Sequence, residues 1–201
     1  MNTLLLGSTS RPRQILLEDA LIPFVVVGHD ANEDDIKHTT IEETVLNIAR
    51  LKMNNVFMPA DRKEGDAIFV LTADSMGCTL DGVIHGKPKD RDDAVSKIKA
   101  LSGESTTYTG FCIEKRVIKN GVWATEDKRE GIVGARCKFK VPDVWLDRYL
   151  ENSWALKAAG AIAVELYGAQ FLQWVEGSST AVMGLPMFEV RQALEEVGFF
   201  N

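Results

Sequence analysis

With 201 residues, 45% of them hydrophobic and 26% charged, the chain lies in the range of ordinary soluble globular proteins and can bury a core without disulfide bonds. Its 23 basic and 29 acidic residues leave a net charge of -6, which argues against a sequence-independent grip on nucleic acid as its main activity. No apolar run approaches the roughly 18 residues that cross a bilayer, and the amino-terminal stretch has no export-signal pattern, so neither anchor nor export is expected. Cys78, Cys112 and Cys137 are an odd number with neither zinc-site nor disulfide spacing, so a reducing, cytoplasmic setting is expected.

The elements follow in chain order. Residues 3–7 form a short apolar run ending in Gly-Ser-Thr-Ser, a buried strand turning into a loop. Ser10 suits a helix N-cap and Pro12 the first turn, with Ile15, Leu16 and Leu17 starting an apolar face. Residues 24–27 read as a second strand, and 28–39 as a polar loop carrying Asp30, Glu33, Asp34 and Asp35. Between 40 and 58, Ile41, Val45 and Ile48 recur at intervals of four and three, one face of an amphipathic helix on which Lys52 also falls.

Residues 67–73 are a continuous apolar strand with Asp74-Ser75 at its end, and 80–83 a tight hairpin. A Gly-Lys-Pro turn at 86–88 leads into a helix near 90–101. Long strands are predicted at 106–118 and 131–141, separated by an Asn120-Gly121 turn and a charged segment, and Pro142 opens a helix to about 150. Strands at 160–166 and 171–175, a Gly-Ser-rich loop and a helix over 186–197 complete the chain. Interleaved helices and strands with one hairpin-rich section predict an α/β fold with a mixed sheet.

Several residues could carry chemistry. Ser8, Ser10, Arg11 and Arg13 cluster where a strand feeds a helix N-terminus; they are either an anion site or a cap with solvated arginines, and they lack the pattern of a P-loop. Lys52 on a core-facing stripe must snorkel out or meet a buried anion. Asp74 at a strand end is a turn former or a catalytic carboxylate. Lys87 and Glu33 read in isolation as solvated surface groups. His29, His38 and His85 show no metal-ligand spacing, and the four tryptophans read as packing residues.

Together these pieces resemble the Maf family of nucleoside triphosphate pyrophosphatases, relatives of the inosine triphosphatase-like fold. The carriers are Gly7-Ser8-Thr9-Ser10 with Arg13 and Leu16-Leu17, Glu33, Ala49-Arg50-Leu51-Lys52, Ala73-Asp74-Ser75, and Gly86-Lys87-Pro88 with Asp90. Leu101-Ser102-Gly103, Thr109-Gly110, Ala159-Gly160-Ala161, Glu176-Gly177-Ser178 and Val182-Met183-Gly184-Leu185-Pro186 continue the order. The resemblance implies one domain over 1–201, an elongated mixed sheet flanked by helices, with two closely joined lobes around a central cleft.

It further implies hydrolysis of a nucleoside triphosphate to the monophosphate and pyrophosphate with Mg²⁺ or Mn²⁺. Asp74 would be the general base, Ser8, Arg13, Lys52 and Lys87 the phosphate ligands, and Glu33 with Asp74 the metal ligands. A cytoplasmic homodimer, binding neither nucleic acid nor membrane, is the implied state. The family's older association with septum formation keeps a nucleotide-binding regulator of division as an alternative.

Three positions bear on choice of base in the family. Members acting on dTTP and UTP carry Arg, Thr and Gln where this chain has Pro12, Ser75 and Glu165. A branch preferring 7-methyl-GTP carries Glu at the last position and a small residue where this chain has Ala158, so Glu165 points to that branch. An ionised carboxylate accepts two hydrogen bonds from the N1–H and 2-amino group of guanine, and a cationic methylated base gains further from its charge. Pro12 and Ser75 match neither branch, and dTTP, UTP and CTP remain the alternative substrates.

Overall fold

The computed structural model describes residues 2–33, 36, 40–61 and 63–201. Asp34, Asp35 and His38 lie outside the described residues. The elements are β1 (Leu4–Leu6), α1 (Arg11–Asp19), β2 (Phe24–Val26), α2 (Ile41–Asn54), β3 (Ala67–Thr79), β4 (Ile84–His85) and α3 (Arg91–Ala100). Then come β5 (Gly103–Lys119), β6 (Val122–Phe139), α4 (Leu146–Asn152), β7 (Leu172–Gly177), α5 (Ser179–Met183) and α6 (Met187–Glu196). The sheet is seven-stranded and mixed: its order is β2-β1-β3-β5-β6-β7, with β4 paired to β3. Strand β1 runs parallel to β2 and β3, whereas β4 and β7 run antiparallel to β3 and β6. The expected mixed α/β class is therefore observed.

The chain divides into two compact units. The first comprises Met1–Asp74, Gly110–Ile132 and Met187–Asn201. Within the parallel triplet β2-β1-β3 the inner strands β1 and β3 are covered, Leu4, Leu6, Val70 and Leu71 having no exposed surface, whereas edge strand β2 leaves Val25 and Val26 exposed. Helix α2 starts at Thr40, whose hydroxyl accepts the Glu43 N–H at 3.2 Å, and buries Val45, Ile48, Ala49 and Met53 on one stripe. Backbone pairing of 28–30 with 55–57 continues this packing, through Phe57 N–H to Gly28 O at 2.9 Å and Asp30 N–H to Asn55 O at 3.2 Å.

The second unit comprises Ser75–Thr109 and Val133–Pro186. Its core gathers Phe139, Tyr149, Phe171 and the buried faces of α3 and α4, with Phe139, Tyr149 and Phe171 ring centroids 5.6 to 6.3 Å apart. The strand predicted at 160–166 is absent; the segment forms short 3₁₀ turns at Ala159–Ala161 and Leu166–Phe171. Positive φ at Gly160, Ala161 and Leu166 breaks any extended run. The N–H groups of Gly160, Ala161 and Ile162 go to the carbonyls of Gly86, Ala158 and Ala159, and three further backbone groups go to one side chain. Tyr149 Oη donates towards the carbonyls of Ala161 and Ala163, each 3.2 Å away, and accepts the Ala163 N–H at 2.7 Å.

Two further expectations are corrected. Asp74 does not end its strand, because β3 continues to Thr79. The charged segment after Asn120-Gly121 is not a connection but the start of β6. Its charges pair along the sheet, Lys115 with Glu126 at 2.8 Å and Lys128 with Glu130 at 2.9 Å.

Candidate active site

In the first unit, β3 and α2 are joined by two successive contacts that follow from their periods. Thr72 and Asp74 lie two residues apart on one face of the strand, and Ala49 and Lys52 three apart on one face of the helix. The Thr72 hydroxyl donates to Ala49 O at 2.7 Å, and Lys52 Nζ donates to Asp74 Oδ1 at 2.8 Å. Gly7 makes the close approach possible, since a Cβ there would sit 2.8 Å from Thr72 Cγ2. The lysine on the apolar stripe thus meets a buried anion rather than snorkelling out: Lys52 is 5% exposed and Asp74 8%.

Helix α1 supplies the second cation. Arg13 stands at its third position, two residues after Arg11, and is buried together with Leu16 and Leu17. Its Nη1 donates to Ser8 Oγ at 3.0 Å and to Ala73 O at 2.8 Å. Ser10 occupies the N-cap without a side-chain cap bond; its N–H reaches Ser8 Oγ at 3.3 Å instead. Burial lowers the Arg13 pKa from the ordinary arginine value, and the charges of Asp74 and Glu33 oppose that shift. Arg11 is spent on the surface, 2.7 Å from Glu18.

Glu33 closes the group, with Oε1 3.0 Å from Lys52 Nζ. Glu33 and Asp74 therefore converge on one cationic position, and two carboxylates that do so suit a hard divalent ion as well as an ammonium. Among the described residues no three His, Cys, Asp or Glu side chains gather as a metal cage. A divalent ion here would fill its other positions with phosphate and water oxygens, the usual state of Mg²⁺. Ser8, Arg13, Lys52, Asp74 and Glu33, separated in sequence, are thus one cluster in which two cations face two carboxylates.

The remaining candidates are described within the second unit, except Pro12, which is half-buried in the first turn of α1. Lys87 is exposed in the loop after β4. Ser75 Oγ lies 2.8 Å from Thr109 Oγ1, which also donates to Ala181 O at 2.8 Å. The single Thr109 proton is shared between two acceptors, Ser75 Oγ and the Ala181 carbonyl. Sequence reasoning used Thr109 only within the Thr109-Gly110 pair and gave it no chemical role; it follows Ser105, Thr106 and Thr107 in the strand, and nothing in that polar run marks it as fully buried.

Glu165 is 7% exposed, and its Oε1 is buried with no hydrogen-bond partner among the described residues. Burial raises its pKa above the ordinary carboxylate value, opposed only by its own and the Val164 backbone N–H.

A strand-to-helix turn carrying Ser8 and Arg13 and a buried lysine–aspartate pair thus meet on one strand of a mixed α/β sheet. The family model described as Maf-like protein matches residues 3–197, and the chain belongs to the Maf family. It is similar, at 36% identity over 98% of its length and 96% of the relative's, to a protein of Geobacter sp. named dTTP/UTP pyrophosphatase. A Caldicellulosiruptor bescii protein of the same name is 27% identical over 99% of this chain and 96% of that one. A Prochlorococcus marinus protein named nucleoside triphosphate pyrophosphatase is 29% identical over 97% of each.

Proposed function

We propose that this Maf-family chain is a nucleoside triphosphate pyrophosphatase, releasing the monophosphate and pyrophosphate. The observation that carries the reading is the buried Lys52–Asp74 pair with Arg13 behind it, since a base beside fixed cations is what attack on a phosphorus requires. Lys52 holds Asp74 Oδ1, which orients the carboxylate so that its other oxygen takes the proton of the attacking water. The water oxygen bonds to the α-phosphorus, the bond to the bridging oxygen breaks, and pyrophosphate leaves with that electron pair. Lys52, Arg13, the Ser8 hydroxyl and Lys87 hold the phosphate oxygens. Glu33 and Asp74 would hold Mg²⁺ or Mn²⁺, which supplies positive charge to the phosphates.

For the base, the names of the relatives support dTTP and UTP. One observation favours 7-methyl-GTP as a second reading: Glu165 is a buried carboxyl group with an unpartnered oxygen, able to accept from a guanine and to attract a cationic ring. In the pyrimidine reading, burial opposes ionisation of Glu165, and a protonated carboxyl would offer one donor and one acceptor, as an amide does. Pro12 and Ser75 complete the base contacts in either case. A homodimer in the cytoplasm is the proposed state; no described helix is long and apolar enough to cross a membrane.

Pyrophosphate release from dTTP, UTP, CTP, 7-methyl-GTP, GTP and ATP, with Mg²⁺ or Mn²⁺, tests the reading and ranks the bases. Tight nucleotide binding without turnover of any of them would instead make the chain a regulator.

A further inference from the structure

Lys87 carries a free-standing charge on a surface loop, yet its backbone is fixed on both sides. The Gly86 carbonyl, in the peptide before the Lys87 Cα, accepts the Gly160 N–H at 3.1 Å. The Lys87 carbonyl, in the peptide after it, accepts Lys97 Nζ at 3.0 Å. Pro88 has no N–H to place and a fixed φ, and the Lys89 N–H goes to Asp93 Oδ2 at 2.8 Å. Asp93 Oδ2 also takes Lys97 Nζ at 2.8 Å, and the Asp93 N–H is capped by Asp90 Oδ1 at 2.9 Å. One ammonium thus ties a carboxylate of its own helix to a carbonyl ten residues upstream. A pair four residues apart on a helix needs only its own two charges; the reach to Lys87 O is additional. The Lys97 side chain is 16% exposed, well shielded for a lysine whose neighbours are water-facing loops.

We infer that Lys97, braced by Asp93, is a positioning residue for Lys87: it fixes the loop so that the Lys87 ammonium is delivered to the triphosphate from a preset backbone. The inference rests on the reading of Lys87 as a phosphate ligand. It follows from the difference between the two basic residues of the site that are lysines. Lys52 is held at its ammonium by carboxylates, whereas among the described residues Lys87 has no partner at its ammonium and can be held only at its main chain. A preset loop removes part of the ordering cost of binding, and the removal shows as rate.

The test is a four-protein comparison of kcat/KM on the best triphosphate of the panel: wild type, Lys97→Met, Lys87→Ala and the double variant. Methionine keeps the length and packing of the stem and removes the donor. The expected loss in Lys97→Met is about tenfold, below the roughly hundredfold that a 1 Å misplacement of a catalytic group costs. Lys97→Arg should recover most of it, and in the Lys87→Ala background the Lys97→Met change should add nothing, because there is no ammonium left to position. Hydrogen exchange at the Lys89 amide in the nucleotide-free protein should speed up in Lys97→Met and return to the wild-type rate in Lys97→Arg. An impaired Lys87→Ala beside an undiminished Lys97→Met, or equal losses from Lys97→Met in both backgrounds, overturns the positioning role alone. Wild-type activity in Lys87→Ala overturns the role of Lys87 itself, and the positioning role with it.

Discussion

The two compact units hold their ionisable groups by different means. In the first, Arg13, Lys52 and Asp74 are buried and fixed by one another, by Ser8 and by a carbonyl of β3. In the second, Lys87 stands on the surface and is fixed through its backbone, while Oε1 of the buried Glu165 has no hydrogen-bond partner among the described residues. Charges that anchor each other inside a core are part of the fold, so their removal is felt in stability as well as in rate. A charge held through its main chain costs the fold little when it is lost. The same substitution type should therefore report different things in the two units.

The largest expected effect is on rate. Asp74→Asn removes the proton acceptor while keeping the shape and one oxygen for Lys52, and turnover should fall by about 10² to 10⁴-fold, the contribution of general base catalysis. Initial-rate measurements of pyrophosphate release check it, and near wild-type turnover would move the base elsewhere.

The comparison between units is sharpest for the two lysines. Lys52→Met strips Asp74 and Glu33 of the cation they share, and denaturant unfolding should show a loss of about 3 kcal/mol alongside the lost activity. Lys87→Ala should lower activity with unfolding within about 0.5 kcal/mol of wild type, as at exposed sites generally. Equal stability losses in the two variants would erase the distinction drawn between the units.

Tyr149→Phe probes the second unit in the opposite sense, since it changes the fold without touching a charge. The buried Ala163 N–H loses its acceptor and two carbonyls lose a donor, which should cost about 1–3 kcal/mol. Urea unfolding at neutral pH measures it. A cost near zero would mean that the 3₁₀ turns around Ala161 and Leu166 are set by their neighbours and not by the tyrosine.

What the sequence revealed follows the same division. The Lys52 position was legible because a helix repeats every 3.6 residues, so a lysine in step with Val45 and Ile48 had either to snorkel out or to meet a buried anion, and the structure shows the second. Strand β1 and the loop into α1 were legible from an apolar run ended by small polar residues. The continuation of β3 through Asp74 was not, because a charged residue reads as a strand end unless the lysine that neutralises it, 22 positions away, is known. The 160–166 segment has the composition of a strand, and the partners that favour turns, the Gly86 carbonyl and the hydroxyl of Tyr149, are distant in sequence. The start of β6 reads as a charged connection because cross-strand pairs such as Lys115 with Glu126 are invisible along one strand. Lys97 carried no signal at all, being one of two lysines on the polar side of α3.

The smallest expected effect lies at Glu165, and its sign distinguishes burial from exposure. Burial lifts the folded carboxyl pKa above the unfolded value of 4.5, so between those two values the folded state holds more protons than the unfolded chain. By linkage, stability falls as pH rises through that window, and below it both states are protonated and the penalty is absent. Glu165→Gln removes the titration while keeping the shape. Its melting temperature should therefore exceed that of wild type at pH 8, with the gap closing towards pH 4. The same variant should shift the ratio of 7-methyl-GTP to dTTP hydrolysis towards dTTP, because an amide offers a guanine one acceptor in place of two. A gap in melting temperature independent of pH would place the carboxyl in water, and an unchanged substrate ratio would detach it from the base.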